Sequence, residues 1–296
     1  MSSYPHMELY PLKVFLAVAT EKSFSRAAEK MLRTQPAISL AVQRLEAELG
    51  EKLIDRSATP PMLTDAGRIV ADFARRFQNL EADLQNALAE LRDNSAGRLV
   101  IGANESTSLY LLQHIELYRR TYPKVKVQVR RSLSSKIPTQ LIDGDLELGV
   151  ISYDPEDERL VTQVIYEDRL SFVVSPTHRF AKRDCVSITE LGMETFIAHN
   201  VMSQYREFVI REFQRNKVQL NMDVEMPTVE TIRLMVQRNE GVAFLPKMCV
   251  EQDLEKGLLR AVHVPELDHE RLIRLVYPAK RALSHAAKAF LELVRG

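Results

Sequence analysis

Eight apolar residues recur between Ala66 and Leu91 at alternating steps of four and three: Ala66, Val70, Phe73, Phe77, Leu80, Leu84, Ala87 and Leu91. This is a heptad seam on one long helix, capped by Thr64 and ending near Asn94, so about 28 residues make roughly 42 Å of helix. A lone helix cannot keep such a stripe from water. It packs either on the chain's own second domain or on a second copy, and its length and regularity favour the second copy.

Residues 8–56 read as three helices. The first, around Tyr10–Thr20, sets Leu12, Phe15, Leu16 and Ala19 on one side. The second opens at Ser23 as N-cap and carries Ala27, Ala28 and Met31, its alanines permitting a close helix crossing. A turn leads to Thr34, the next N-cap, with Pro36 in the first turn, where its missing N–H is harmless. The third helix places Ile38, Val42, Leu45 and Leu49 on one face and ends at Gly50. Its other side shows Pro36, Leu40 and Gln43, flanked by Gln35, Ser39 and Arg44. Two short helices, a tight turn and an exposed polar N-terminal half fit a helix-turn-helix; an ordinary helical hairpin has the same outline. In the first case Gln35 and Gln43 suit adenine edges, while Ser39 and Arg44 suit bases or phosphates. Residues 51–64 suggest a wing of short strands turning at Thr59-Pro60-Pro61, with Arg56 its leading phosphate contact.

Charge supports nucleic acid only locally. The whole chain is neutral, and residues 1–66 hold eight Lys/Arg against eight Asp/Glu. Between Arg26 and Arg44, however, Arg26, Lys30, Arg33 and Arg44 face only Glu29.

From Gly97 to Gly296 strands and helices alternate, the pattern of parallel sheets with crossover helices, and roughly 200 residues suit two small doubly wound lobes with a crevice between them. Expected strands are Arg98–Ala103, Lys124–Arg130, Leu146–Ile151, Arg169–Val174, Thr195–Ala198, Gln219–Glu225, Val242–Leu245 and Leu272–Tyr277. Cys185 and Cys249 match no zinc or redox spacing and read as two buried thiols. No histidine spacing suggests a metal site, and no cofactor motif stands out. The opening residues carry no secretory signal, and Met7 serves equally well as a start, so the expected compartment is cytoplasmic, with no membrane partner.

The segment Phe15–Gly67 closely resembles the DNA-binding region of LysR-type transcriptional regulators. The likeness rests on Ser23-Phe24, Ala27-Ala28, Gln35-Pro36-Ala37, Ser39, Leu45-Glu46, Leu49-Gly50, Asp55-Arg56, Leu63-Thr64 and Ala66-Gly67. It continues at Gly97-Arg98-Leu99, Tyr122-Pro123, Leu141 to Gly149 and Gly241-Val242-Ala243-Phe244-Leu245-Pro246. The resemblance implies an N-terminal all-α winged helix-turn-helix (7–64), a linker helix (65–94) and a C-terminal α/β effector domain (97–296). That last domain would be of the two-lobed periplasmic-binding-protein-like (type 2) form, with lobe 1 about 97–168 and 265–296 and lobe 2 about 169–264. It implies double-stranded DNA and a small-molecule effector as partners, a homodimer or homotetramer, and RNA polymerase as a further candidate partner. The DNA-binding set is then Ser23, Arg26, Thr34, Gln35, Pro36, Ser39, Gln43, Arg44 and Arg56. Leu40 stands where the family commonly has a basic residue, the wing Ser57-Ala58-Thr59-Pro60-Pro61 lacks the usual arginines, and Gln113 replaces a frequent proline.

Ligands of open α/β sheets bind beyond the carboxyl ends of the strands. Strand Arg98–Ala103 leads to Asn104-Glu105-Ser106-Thr107-Ser108, where hydroxyls and unpaired N–H groups can hold a carboxylate, sulfate or phosphate, or simply cap the next helix. Glu105 would repel an acid and favour an amine or amino acid if it points inward. The resemblance adds Ser132, Ser134, His199, Asn200, Ser203 and Thr228. An enzyme or a solute-binding protein could use the same cleft. The first reading finds no GxSxG, HExxH, phosphate loop or Rossmann fingerprint, and only ten glycines. The second leaves Ser23–Gly50 and the seam unexplained.

Overall fold

A computed structural model describes residues 8–92, 97–268 and 270–295. The tail up to Met7, the expected helix end at Asn94 and the terminal Gly296 lie outside the described residues. The chain divides near residue 94 into two compact units, with Ile142–Asp145 grouping with the first.

The first unit holds α1 (Leu9–Glu21), α2 (Phe24–Lys30), α3 (Gln35–Leu49), the two-residue strands β1 (Ile54–Asp55) and β2 (Met62–Leu63), and α4 (Asp65–Arg92). Ser23 caps α2 by accepting the Arg26 N–H, whereas Thr34 takes the N-cap conformation of α3 without a side-chain cap. Gly50 ends α3 at φ 71°, a left-handed position that glycine adopts without a Cβ penalty. Phe15, Val18, Ala27, Ile38, Val42 and Leu45 close a core that Leu53, Ala71 and Ala74 complete.

One buried carboxylate fastens the wing to α3. Glu46 Oε1 accepts the N–H of Leu53 at 2.9 Å and of Ile54 at 3.3 Å, and Oε2 lies 3.5 Å from both Lys52 Nζ and Arg56 Nη2. Thr64 Oγ1 caps α4 by accepting the Gly67 N–H at 2.9 Å and donates to the Lys52 carbonyl at 2.6 Å. There α4 passes so close to the preceding chain that a Cβ on Gly67 would lie 2.0 Å from the Leu53 carbonyl oxygen.

The two ends of the α4 seam have opposite fates. Ala66 and Val70, the first two seam positions, pack on the three-helix core rather than on a partner. Phe73, Phe77, Leu80, Leu84 and Leu91 are exposed, Leu80 at 65% and Leu84 at 60%, and Leu88 joins them. Among the described residues no helix is long and apolar enough to cross a membrane.

The second unit runs β3 (Gly97–Ala103), α5 (Glu105–Thr121), β4 (Val125–Arg131), α6 (Ile137–Ile142), β5 (Leu148–Ile151), β6 (Leu160–Val174), β7 (Thr195–His199) and α7 (Gln204–Arg215). It continues with β8 (Asn221–Met226), α8 (Val229–Gln237), β9 (Ala243–Pro246), α9 (Lys247–Glu255), β10 (Arg260–Val262), β11 (Glu270–Pro278) and α10 (His285–Arg295). β3 lies between β4 and β5, parallel to both, and β5 continues antiparallel to β11. β6 serves two lobes. Its residues Leu160–Arg169 pair with β11, whereas Leu170–Val174 pair with β9 and β10. Beyond β9, a Phe196–Val242 bridge brings in β7, which is parallel to β8.

The expected parallel sheets therefore need correction, since β6 is antiparallel to β9, β10 and β11. Arg169–Val174 is only the last six residues of a strand of 15. Thr162, Gln163, Glu167 and Asp168 break the apolar pattern of its first half, which hides it in the sequence. Each lobe has its own core, one around Leu99, Ile101, Tyr118, Val150 and Phe290, the other around Phe172, Phe196, Phe213, Ile232 and Leu245.

Alanine for glycine in an open helix adds about 1 kcal/mol. At Gly67 the clash with Leu53 reverses the sign. Gly67→Ala is expected to cost about 1–3 kcal/mol in chemical denaturation of the N-terminal transition, and a gain in stability would contradict the close approach.

Candidate functional site

The N-terminal candidates divide by what already holds them. Thr34, Gln35, Pro36, Gln43 and Arg44 are exposed, with Leu40 (48% exposed) among them on α3. Ser39 is half-buried and accepts from Arg56 Nη1 at 3.0 Å. The same guanidinium reaches Glu46 and lies 4.9 Å above the Phe24 ring. Arg56 thus ties the wing to α2 and α3, so its approach to a phosphate must share a charge already engaged. Arg26 donates to the Glu21 carbonyl, and Lys30 pairs with the Glu21 carboxylate at 2.5 Å, so the local positive surplus is partly neutralised. Hydrogen bonding and the Lys30 charge hold the Glu21 carboxyl below its ordinary range.

In the second unit a cavity of about 910 Å³ opens between the lobes. Seven sequence candidates line it: Asn104, Glu105, Ser106, Ser132, Ser134, His199 and Ser203. Thr107, Asn200 and Thr228 are not on its wall. Thr107 is fully buried in a capping box with Asn104 and donates to the Val150 carbonyl at 3.2 Å. Asn200 donates its N–H to the Met226 carbonyl, and Thr228 caps α8.

Capping consumes most of the hydroxyl cluster after β3. Asn104 Oδ1 accepts the Thr107 N–H at 2.8 Å, and its amide donates to Ser134 Oγ at 2.7 Å. Ser106 Oγ accepts from Arg271 Nη2 at 2.8 Å. Ser203 caps α7, and Ser132 donates to Gln140 at 2.6 Å. Glu105 turns inward: Oε1 accepts the Val229 N–H of α8 at 2.8 Å, and Oε2 lies 3.4 Å from His199 Nε2 and 3.7 Å from Arg131 Nη2.

Arg271, Tyr205 and Arg206, missed in the sequence, also line the cavity. Arg271 on β11 and Asp168 on β6 make a buried pair at 2.9 Å, their side chains 6% and 0% exposed. Asp168 also accepts the Met248 N–H at 3.1 Å, and Arg271 stacks 5.5 Å above the Tyr205 ring. Burial pushes the Tyr205 phenol well above its ordinary range. Among the described residues, the Tyr205 hydroxyl and Arg206 Nε are buried without a hydrogen-bond partner, and both residues line the cavity. Phe196, Phe244 and Leu245 supply an apolar wall. Arg131 was detectable as the residue ending β4. Arg271 carries no such signal, because its role depends on its pairing with a distant strand.

Cys249 is buried, its thiol pushed up to about 12 by desolvation, whereas Cys185 is exposed, which corrects the expectation of two buried thiols. Among the described residues no group of three His, Cys, Asp or Glu is placed to hold a metal.

Residues 9–68 match the model of the bacterial regulatory helix-turn-helix protein, lysR family, and residues 92–296 match the LysR substrate binding domain. A probable RuBisCO transcriptional regulator of Cyanophora paradoxa is 32% identical, the match covering 96% of this chain and 90% of that protein. Full-length CbnR complexed with its target DNA superposes with TM-score 0.74 at 17% identity, over 98% of this chain and 99% of that one. The Synechocystis PCC6803 CcmR regulatory domain in complex with 2-PG gives TM-score 0.61 at 20% identity, over 67% and 95%. At these identities the two structures speak to the fold alone.

Removing one member of a buried ion pair strands the other, typically at about 3–5 kcal/mol. Asp168→Ala is expected to destabilise the C-terminal unit by that amount in calorimetry, and Asp168→Leu with Arg271→Met to recover most of it. A double variant no better than the single one would show that the pair does more than neutralise itself.

Proposed function

Because the chain belongs to the LysR family, a DNA-binding transcriptional regulator with an effector-binding domain and not an enzyme, we propose that α3 reads the major groove and that the interlobe cavity is the sensor. The observation that carries this is the face of α3 on which Gln35, Pro36 and Gln43 are exposed beside the half-buried Ser39; in this reading these four lie nearest the bases. Ser23, Arg26, Thr34, Arg44 and Arg56 then serve the backbone. Residues 7–64 form the DNA-binding domain, 65–94 the linker and 97–296 the sensor, with lobes of 97–168 plus 265–296 and 169–264.

The bare stripe of α4 supports pairing of two copies, since each exposed Leu or Phe gains about 1.5–3 kcal/mol when fully buried. A homodimer, or a homotetramer built from it, presents two reading helices to a two-fold DNA site. Ligand binding between the lobes changes their closure, and α4 carries the change to the paired heads. The solved CcmR complex with 2-PG supports a small molecule as the ligand class. The protein works in the cytoplasm, with RNA polymerase as a further partner.

Gel-shift titration with a cognate site tests the reading. Gln43→Ala is expected to weaken specific binding by about 1–3 kcal/mol with little effect on random DNA; equal losses on both would remove Gln43 from base readout. With Leu40 exposed and Arg56 engaged, the salt slope should fall below that of ten phosphate contacts. In sedimentation, Leu80→Lys with Leu84→Lys is expected to dissociate the oligomer. An unchanged mass would place the interface elsewhere.

A further inference from the structure

The Glu105 carboxylate crosses the cavity, and its surroundings are those of a bound anion. It starts α5 in one lobe, yet Oε1 takes the N–H of Val229, the first residue of the nine-residue α8 in the other. Oε2 faces His199 at 3.4 Å. His199 Nδ1 accepts the Val201 N–H at 3.1 Å, which leaves the ring proton on Nε2, directed at Glu105. Arg131 Nη2 lies 3.7 Å away and adds positive charge. A helix-terminal amide, an imidazole N–H and a guanidinium therefore converge on one carboxylate. These are the donors that a ligand's carboxylate would seek.

We propose that Glu105 is a tethered occupant of the cavity's anion site, and so the residue that sets its ligand specificity; this rests on the cavity being the sensor. Free small carboxylates are rejected because the donors are already taken and the like charge repels them. The preferred ligand leaves Glu105 in place, offers an acceptor to the unpartnered Tyr205 hydroxyl, and lays an apolar body against Phe196 and Phe244. Because its donors His199 and Val229 belong to the second lobe, Glu105 also clasps the lobes together.

Chemical rescue tests this on the full-length protein. Glu105→Ala removes the carboxylate and its adjoining methylene and opens the space of an acetate ion. Wild type should show no melting shift in sodium acetate beyond that in sodium chloride of equal ionic strength. Glu105→Ala should melt lower and recover with saturable dependence on acetate but not on acetamide. An equal response of wild type and variant, no response of the variant, or equal rescue by acetamide would overturn the proposal. If Glu105→Ala does not fold, Glu105→Gln keeps the geometry without the charge. Amide exchange at Val229 is then expected to rise by about tenfold or more, as a charge-assisted bond becomes a neutral one, and unchanged exchange would overturn the clasp. These readouts involve no DNA, so their failure is distinct from loss of cognate-site binding by the same protein.

Discussion

The buried pair of Asp168 and Arg271 is the constraint on which the C-terminal unit depends. It sits beside the point where β6 stops pairing with β11 and begins pairing with β9. Taking both charges out of water costs several kcal/mol per ion, so the site must return nearly every lost hydrogen bond. It does so by enlisting other elements: Ser106 from α5, the Met248 N–H of α9 and the Tyr205 ring of α7. The starts of three helices are thereby referred to one point, and two of them, those of α5 and α7, line the cavity.

The N-terminal unit solves a similar problem with Glu46. A two-strand wing has too few ladder hydrogen bonds to hold itself in place. A buried carboxylate accepting two wing amides fixes its root to α3, and Arg56 repeats the link from outside through Ser39 and Phe24. The orientation of the wing beside α3 is thus set by side chains of α3 itself, at the expense of cationic groups a nucleic acid could use. Along α4 the work then changes, small residues near its start allowing close packing on the core while the leucines beyond stay exposed.

Much of this was legible in the residues. Steps of three and four located α1, α3 and α4, Ser23 and Gly50 marked helix ends, and the alternation of strand and helix foretold two α/β lobes. Local signals also placed Asn104, Glu105 and Ser106 at a strand's carboxyl end. They misjudged what each does there, because capping, anion binding and pairing with a distant guanidinium all call for the same short polar side chains. Thr107, buried in its capping box, is the clearest instance.

The sequence by itself determined the periodic elements, the seam and the family, since these rest on spacing within a few turns or on short motifs. Only the tertiary structure decided that β6 serves two sheets, that Arg271 meets Asp168 across 103 positions, and that Glu105 reaches Val229 across 124. Such contacts depend on strand register and on how the lobes face each other. A partner brought close by the fold leaves no periodic trace in the residues beside it, so the inward turn of Glu105 was unreadable until both helix starts were in place.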